Sequence, residues 1–313
     1  MDKTSKIYVA GHKGLVGSAI SRELESQGYT NLFKRASNEL DLCRQQSVDD
    51  FFAEEIPEYV IIAAAKVGGI GANSKYAADF ITDNLLIQTN IICASHKVGV
   101  KKLLFLGSSC IYPKLALQPI IEDCLLGGKL EPTNESYAVA KIAGLMMCKA
   151  YRQQYNDNYI AVMPTNLYGP GDNFDLEGSH VLPAMIRKFH DAKIKGETTV
   201  NLWGTGNPLR EFLHVDDLAK ACIYLMNRYN GETILNIGTG KDLTIRQLAE
   251  TVKEIVGYKG DILWDHTKPD GTPRKLLDIS KISATGWKPE IELKDGISDT
   301  YAWYCETLEK RGV

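Results

Sequence analysis

Nothing in this chain spaces its cysteines for a metal or a redox couple. There are seven, an odd number (Cys43, Cys93, Cys110, Cys124, Cys148, Cys222 and Cys305), and no two lie close together. That excludes zinc and dithiol motifs and points to free thiols in a reducing compartment. The six histidines show no ligand spacing either, so no metal is expected. Long apolar runs are missing: Tyr59-Val-Ile-Ile-Ala-Ala-Ala65 has the length of a buried strand and is too short to span a bilayer. An excess of one charge is missing too. A net charge of -3 gives no electrostatic reason to expect nucleic acid or an anionic membrane as partner. There is neither a repeat nor a low-complexity tract, and Met1-Asp-Lys leads straight toward the first strand without a secretion signal. A cytoplasmic protein is expected. With 313 residues, 44% hydrophobic and 24% charged, the chain has the composition of a globule large enough for two lobes.

What is present is an alternation of strand and helix signals. Strands are predicted at about 6–10, 29–35, 59–65, 101–108 and 159–164, with helices between them, clearest at about 14–27, 83–98 and 136–155. Such alternation predicts an α/β fold of Rossmann type, a doubly wound parallel sheet with helices on both faces. Residues 1–168 are assigned to this dinucleotide-binding domain, with segments of about 211–240 packing back on it. Residues 169–313, where the rhythm loosens, form a smaller mixed α/β lobe that binds substrate.

The first strand runs into Ile7-Tyr-Val-Ala-Gly11-His-Lys-Gly14-Leu-Val-Gly17. Gly11 permits a tight turn, Gly14 lets the backbone approach a pyrophosphate, and Gly17 lets the helix pack closely on the strand. The helix N-terminus then presents free amides to the anion. At the end of the second strand stand Lys34 and Arg35, where an NAD-selective site carries an acid, and Lys13 lies on the same side. Cations there suit the 2′-phosphate of NADP, the alternative being a solvated basic edge.

Tyr137 and Lys141 lie one helical turn apart, an arrangement in which the ammonium is expected to lower the phenol's pKa and make it a proton donor near neutral pH. Ser108, at the end of a buried strand, is placed to hydrogen-bond the same carbonyl oxygen. Cys110 follows it and, as a thiolate, can remove a proton beside that carbonyl; His180 can return one from the opposite face. Taken singly, the cysteine also reads as buried filler and the histidine as structural. The helix from Ser136 is apolar nearly all round, as is Leu85–Ala94. A homodimer through these two helices is expected, the alternative being a covering loop of the same chain.

Five stretches carry a resemblance to a known family: residues 10–18, 63–69, 107–114 (Gly-Ser-Ser-Cys-Ile-Tyr-Pro-Lys), 131–141 and 163–170. Residues 203–206, 210–216 and 268–275 (Lys-Pro-Asp-Gly-Thr-Pro-Arg-Lys) extend it over almost the whole chain. The chain resembles the extended short-chain dehydrogenase/reductases. The Ser-Ser-Cys and Lys-Pro-Asp-Gly segments are similar to its branch of bifunctional epimerase-reductases. The resemblance implies 3,5-epimerisation and NADPH-dependent 4-reduction of GDP-4-keto-6-deoxy-D-mannose to give GDP-L-fucose. It assigns Ser108, Tyr137 and Lys141 to reduction, and Cys110 and His180 to epimerisation as base and acid. It places Gly11, His12, Lys13, Gly14, Leu15, Val16, Gly17, Arg35, Asp41, Leu42 and Ala64 against NADP(H). Lys141, the run Pro164, Thr165, Asn166 and Leu167, and His180 complete that set. Ser108, Ser109, Cys110, Asn166, Lys188, Trp203, Arg210 and Asp270 are implied for the GDP-sugar. Two positions depart from the pattern: Lys188 replaces an arginine, and Ser37 stands where a second adenosine-side cation often lies.

A 4,6-dehydratase shares the scaffold but places carboxylates where Ser109 and Cys110 stand. A 4-epimerase needs neither Cys110 nor His180. A reductase of a related GDP-4-keto sugar or heptose, and a non-catalytic NADP-sensing module, are the remaining alternatives.

Overall fold

The computed structural model describes residues 1–176, 178–268 and 270–311, without the side chains of Ile70 and Arg311. Pro269 of the Lys-Pro-Asp-Gly segment lies outside the described residues. The first half alternates β1 (Ile7–Ala10), α1 (Leu15–Ser26), β2 (Leu32–Phe33), α2 (Gln45–Glu55), β3 (Tyr59–Ile62), α3 (Ile70–Lys75), α4 (Ala77–Lys97), β4 (Lys102–Leu106), α5 (Glu135–Tyr155) and β5 (Tyr159–Pro164). There follow β6 (Asn166–Tyr168), α6 (Val181–Lys195), β7 (Thr199–Trp203), β8 (Leu209–His214), α7 (Val215–Arg228), β9 (Leu235–Ile237), β10 (Asp242–Thr244) and α8 (Ile245–Val256). The chain ends in β11 (Asp261–Asp265), β12 (Arg274–Lys275), α9 (Ser280–Ala284) and α10 (Leu293–Arg311).

Six parallel strands form the main sheet in the order β2-β1-β3-β4-β5-β9. Every strand but the half-buried edge strand β2 is buried on both faces, and side chains alternate between two apolar layers. Ile7, Val9, Ile61, Leu104, Ile160 and Val162 face α1 and α7; Tyr8, Ala10, Val60, Ile62, Phe105 and Met163 face α2, α4 and α5. Ile20 and Leu24 of α1 are fully buried, each contributing roughly 1.5–3 kcal/mol. The second predicted strand is shorter than expected, two residues in place of 29–35. It lies at the sheet edge, where only Ile7 and Tyr8 pair with it.

A third apolar cluster joins α6, α8 and α10 behind β7 and β11. Between the two bodies lies a small sheet in which β8 pairs with β6, β10 and β12. The chain passes from β8 back through α7 to β9, which enters the main sheet beside β5. All seven cysteines are free. No helix among the described residues is long and apolar enough to cross a membrane.

Gln88 and Gly144 make the α4–α5 contact: Gln88 Nε2 donates to Ala140 O at 2.6 Å, and a Cβ on Gly144 would lie 2.7 Å from Gln88 Oε1. The outer faces of this pair keep Leu86, Val139 and Met146 each 41% exposed. The covering loop weighed above therefore leaves these three side chains uncovered.

Candidate active site

Parallel strands align their carboxyl ends, so Gly11, Ala64, Gly107 and Thr165 line one edge of the sheet after β1, β3, β4 and β5. Gly11 adopts φ +84° and presses so closely on the next strand that a Cβ would lie 2.6 Å from Ala64 N. A Cβ on Gly17 would lie 2.1 Å from Gly11 O, so only glycine lets α1 start here. Gly14 is the N-cap, no side chain caps the helix, and no acid occupies its first turn. The free amides and the partial positive charge of the terminus suit an anion. His12 adds a buried Nδ1 without a partner; its pKa is lowered by burial and then by Lys13 and Lys34. These residues fit a dinucleotide pyrophosphate.

The adenosine side differs from the expectation in one respect. Arg35 is not free: it pairs with Glu55 at 2.7 Å and lies over the Phe51 ring at 5.6 Å. Lys34 pairs with Glu25, while Lys13 is exposed. Asp41 pairs with Arg44 at 3.3 Å, and Leu42 O accepts from Asn90 Nδ2 at 2.9 Å. Both thus hold the loop before α2.

Beyond β4, Ser108 caps a short 3-10 turn, its Oγ accepting from Cys110 N at 3.2 Å. Ser109 is buried. Tyr137 projects from the first turn of α5, near enough to Ser108 to feel its hydroxyl electrostatically. Lys141, one turn on, donates to Leu106 O at 2.7 Å, with its ammonium 6.0 Å from the Tyr137 ring centroid. The expected depression of the phenol's pKa does not occur. Burial and the neighbouring Cys110 charge push Tyr137 up, the nearby Ser108 hydroxyl opposing them. Lys141 turns its charge onto a carbonyl, and burial brings its own pKa down to about 8.

Cys110 is the opposite case. Burial raises its thiol, but Lys275, Ser108 and Arg210 together outweigh that and hold it below the ordinary thiol range. Lys275 Nζ stands 3.2 Å from Cys110 Sγ. Cys148 and Cys222, with no such partners, are pushed up to about 12 by burial. His180 is the N-cap residue of α6. It is held toward its neutral form by burial and then by Lys275. Its loop is seated by Gly69, whose N–H donates to Gly178 O at 3.1 Å. The cleft therefore gathers Ser108, Cys110, Tyr137, Lys141 and His180 as expected, around a cation the sequence reading left unassigned. A small cavity of about 50 Å³ opens beside Cys110, with Tyr112, Lys114, Glu131 and Lys275 among its walls.

Asn166 Nδ2 donates to Glu211 O at 2.7 Å, and Thr165 N to Ile237 O at 3.0 Å. This fixes the run from Pro164 to Leu167 beside β8. Arg210 faces Cys110 and Asp270 electrostatically, and burial lowers its pKa. Asp270 in turn accepts from Thr205 N at 2.7 Å and Thr205 Oγ1 at 2.8 Å. Trp203, 61% exposed, offers a flat face with Lys188 6.0 Å and Lys268 5.4 Å from its centroid. Lys188 Nζ also donates to Asn201 O at 3.0 Å.

Two residues went unread in the sequence. Lys275 is one. The other is Glu211, fully buried, whose carboxylate accepts from Leu277 N (3.0 Å), Thr239 N (2.7 Å) and Gly240 N (2.7 Å). It ties the strand carrying Arg210 to the strand carrying Lys275. The structure also brings His214, Asp216 and Asp299 ligand atoms within 4.8 Å of one another, with Asp216 already held by Arg22 at 2.7 Å.

A doubly wound sheet with a glycine-turn anion site and a Ser-Tyr-Lys cluster at its carboxyl edge defines a nicotinamide-dependent enzyme acting on a carbonyl. The chain belongs to the NAD dependent epimerase/dehydratase family, whose model matches residues 7–238. It is 61% identical to GDP-L-fucose synthase 1 of Arabidopsis thaliana over 99% of this chain and 96% of that protein. It is 52% identical to the GDP-L-fucose synthase of Escherichia coli (strain K12), over 97% of this chain and 98% of the relative. Among solved structures, MlghC, a GDP-mannoheptose C4 reductase from Campylobacter jejuni with NADP bound, is similar at 43% identity. It superposes with a TM-score of 0.90, covering 97% of this chain and 99% of that one. The resemblance to the extended short-chain dehydrogenase/reductases therefore holds.

Proposed function

We propose that this chain converts GDP-4-keto-6-deoxy-D-mannose to GDP-L-fucose, epimerising C3 and C5 and reducing C4 with NADPH. The observation that carries this reading is one cleft in which Lys275 Nζ stands 3.2 Å from Cys110 Sγ, Cys110 N donates to Ser108 Oγ at 3.2 Å, and Lys141, one turn after Tyr137, donates to Leu106 O at 2.7 Å. Ser108 and Tyr137 hydrogen-bond the C4 oxygen, which makes the hydrogens on C3 and C5 acidic. Cys110 removes such a proton from one face. The oxygen clamp stabilises the enolate, and His180 returns a proton from the other face to invert the centre. Gly11 to Gly17, Lys13, Ala64 and Pro164 to Leu167 would hold NADPH, with Arg35 added where it leaves Glu55, and the bound cofactor would supply hydride to C4. Tyr137 then protonates the C4 oxygen, with the Lys141 charge beside it.

Support for the GDP end comes from Trp203, Lys188, Arg210 and Asp270 on one rim of the cleft. A flat ring suits the base, and the cations suit the diphosphate. Residues 1–168, with the returning segment to 240, carry the cofactor, and 169–313 carry the nucleotide-sugar. The exposed apolar outer face of α4 and α5 supports a homodimer, and the composition supports a cytoplasmic enzyme. The similarity to a GDP-mannoheptose C4 reductase supports a second reading, reduction of a GDP-4-keto heptose.

The test is incubation with NADPH and a panel of GDP-4-keto sugars in deuterated water, read by mass and NMR. GDP-L-fucose labelled at C3 and C5 is the expected product. Reduction without label sinks the epimerase assignment, and turnover of the heptose alone favours the second reading.

A further inference from the structure

The strand that carries Lys275 is two residues long, and nearly everything around it is pinned. Arg274 binds Asp242 through two nitrogens, at 2.6 and 3.3 Å. Leu276 N donates to Gln118 Oε1 at 2.8 Å and Leu277 N to Glu211 Oε2 at 3.0 Å. Pro273 O accepts from Leu209 N at 2.9 Å. Successive side chains on a strand point to opposite faces, so anchoring Arg274 outward aims Lys275 into the cleft. Its ammonium ends on Cys110 Sγ at 3.2 Å.

We propose that Lys275 is the positioning residue of the epimerising half-reaction, holding Cys110 as the thiolate base while leaving the hydride-transfer half to Ser108, Tyr137 and Lys141. This rests on the reading of Cys110 as base. The thiolate takes a proton from the carbon beside the ketone and becomes a thiol, and the electron pair of the C–H bond passes into the enolate. The imidazolium form of His180, which burial and Lys275 disfavour in the empty cleft, donates the proton that closes that pair on the other face and is left as neutral imidazole. Solvent then takes the thiol proton and reprotonates the imidazole, so no redox equivalent is consumed. Lys275 keeps its proton throughout. A cation at contact distance favours the charged form of the sulfur and stands on the side where the enolate's negative charge develops.

The charges around the sulfur leave this role to Lys275. Arg210, from β8, acts on Cys110 less strongly and shares its field with Asp270. From α5, Tyr137 is pushed up by burial and then by the sulfur, and contributes no cation. From the N-terminus of α6, His180 is held toward neutrality by burial and Lys275 itself. Glu131, on the wall of the adjoining cavity, is engaged by Lys114 at 3.0 Å. Arg274 is engaged by Asp242.

The experiment compares Lys275→Met, Lys275→Arg and wild type by two readouts. The first is the pH midpoint of Cys110 alkylation by iodoacetamide, followed on its peptide by mass spectrometry; it needs no substrate. The second is the ratio of deuterium uptake at C3 and C5 to NADPH oxidation. Lys275→Met is expected to raise the alkylation midpoint by about one pH unit, a tenfold loss of thiolate. It should also lower the exchange-to-reduction ratio by roughly the same factor, with unepimerised 4-reduced sugar accumulating. Lys275→Arg should restore most of both. If the Met variant does not fold, Lys275→Gln serves with the same expectations. An unmoved midpoint overturns the inference. A moved midpoint with an unchanged ratio also overturns it, because Lys275 then sets the thiol's ionisation without serving epimerisation. If Cys110→Ser retains full exchange, the base itself is misassigned, whatever the lysine variants do.

Discussion

Removing the Glu211 carboxylate should loosen the cleft from below. Three backbone N–H groups, of Leu277, Thr239 and Gly240, end on its two oxygens at 2.7–3.0 Å. Glu211 itself is fully buried. Burial raises its pKa and the backbone donors oppose that. Glu211→Ala strands three donors, and an unsatisfied buried group costs about 1–3 kcal/mol. The expected loss is therefore at least about 4 kcal/mol, some of it from the vacated side-chain volume. Glu211→Gln keeps the shape. One amide oxygen still accepts from Thr239 and Gly240, but the new NH₂ meets the N–H of Leu277 donor to donor, for a loss of about 2 kcal/mol. Urea unfolding at constant slope gives the global numbers, and amide hydrogen exchange locates them. Protection should fall at Leu277, Thr239 and Gly240 before it falls in β1 or β4. A loss below about 1 kcal/mol for the alanine variant, or unchanged protection at all three amides, refutes the reasoning.

Tyr137→Phe removes the phenolic proton while Cys110 and His180 stay in place; NADPH oxidation should fall by at least about a hundredfold while deuterium uptake at C3 and C5 persists. Loss of uptake with surviving reduction would reverse the roles. Burial brings Lys141 down to about 8, so its ammonium is present below that pH and lost above it. The reductive rate should decline as pH rises through this range, and a flat profile to pH 10 counts against the role. Gly17→Ala sets a Cβ 2.1 Å from Gly11 O; NADPH affinity, followed by cofactor fluorescence, should weaken by more than about tenfold, or 1.4 kcal/mol. Met146→Glu charges the outer face of α5 and should shift a dimer toward monomer in sedimentation. An unchanged dimer places the interface elsewhere.

The main sheet is legible because its central strands are buried on both faces, and the runs Ile7–Ala10, Tyr59–Ile62 and Lys102–Leu106 are nearly all apolar. The glycine turn was legible because a local backbone conformation demands glycine at defined spacing. The expected second strand, 29–35, overextends the observed one because Leu32 and Phe33 alone pair with β1, while polar Thr30, Asn31, Lys34 and Arg35 flank them at the sheet edge. Tyr137 and Lys141 are neighbours as their spacing implies, but the net direction of the phenol's shift is set by burial and Cys110 and not by Lys141. Spacing along a helix gives proximity. A pKa also depends on burial and on charges brought in from elsewhere, here Cys110 from the loop after β4. The Arg35–Glu55 pair was hidden for the same reason, since its partners come from different elements.

Lys275 shows where reading by local pattern stops. It lies in a segment whose motif was recognised, 165 residues from the sulfur it touches, and its own neighbourhood in sequence contains nothing nucleophilic. What brings it to Cys110 is the pairing of β12 beside β8, with Lys275 opposite Arg210. Two cations in register on adjacent strands repel, and in water that register would be disfavoured. It holds here because Glu211 and Asp242 anchor the flanking backbone and side chain and because the Cys110 sulfur, 3.2 Å from Lys275 and within the field of Arg210, attracts both cations when ionised. The cationic pair and the thiolate are therefore one arrangement. Taking away the sulfur's charge should leave the lysine and arginine repelling each other, so Cys110→Ala is expected to destabilise the protein more at low salt than at high salt. A salt-independent loss would mean that the register is held by backbone contacts alone.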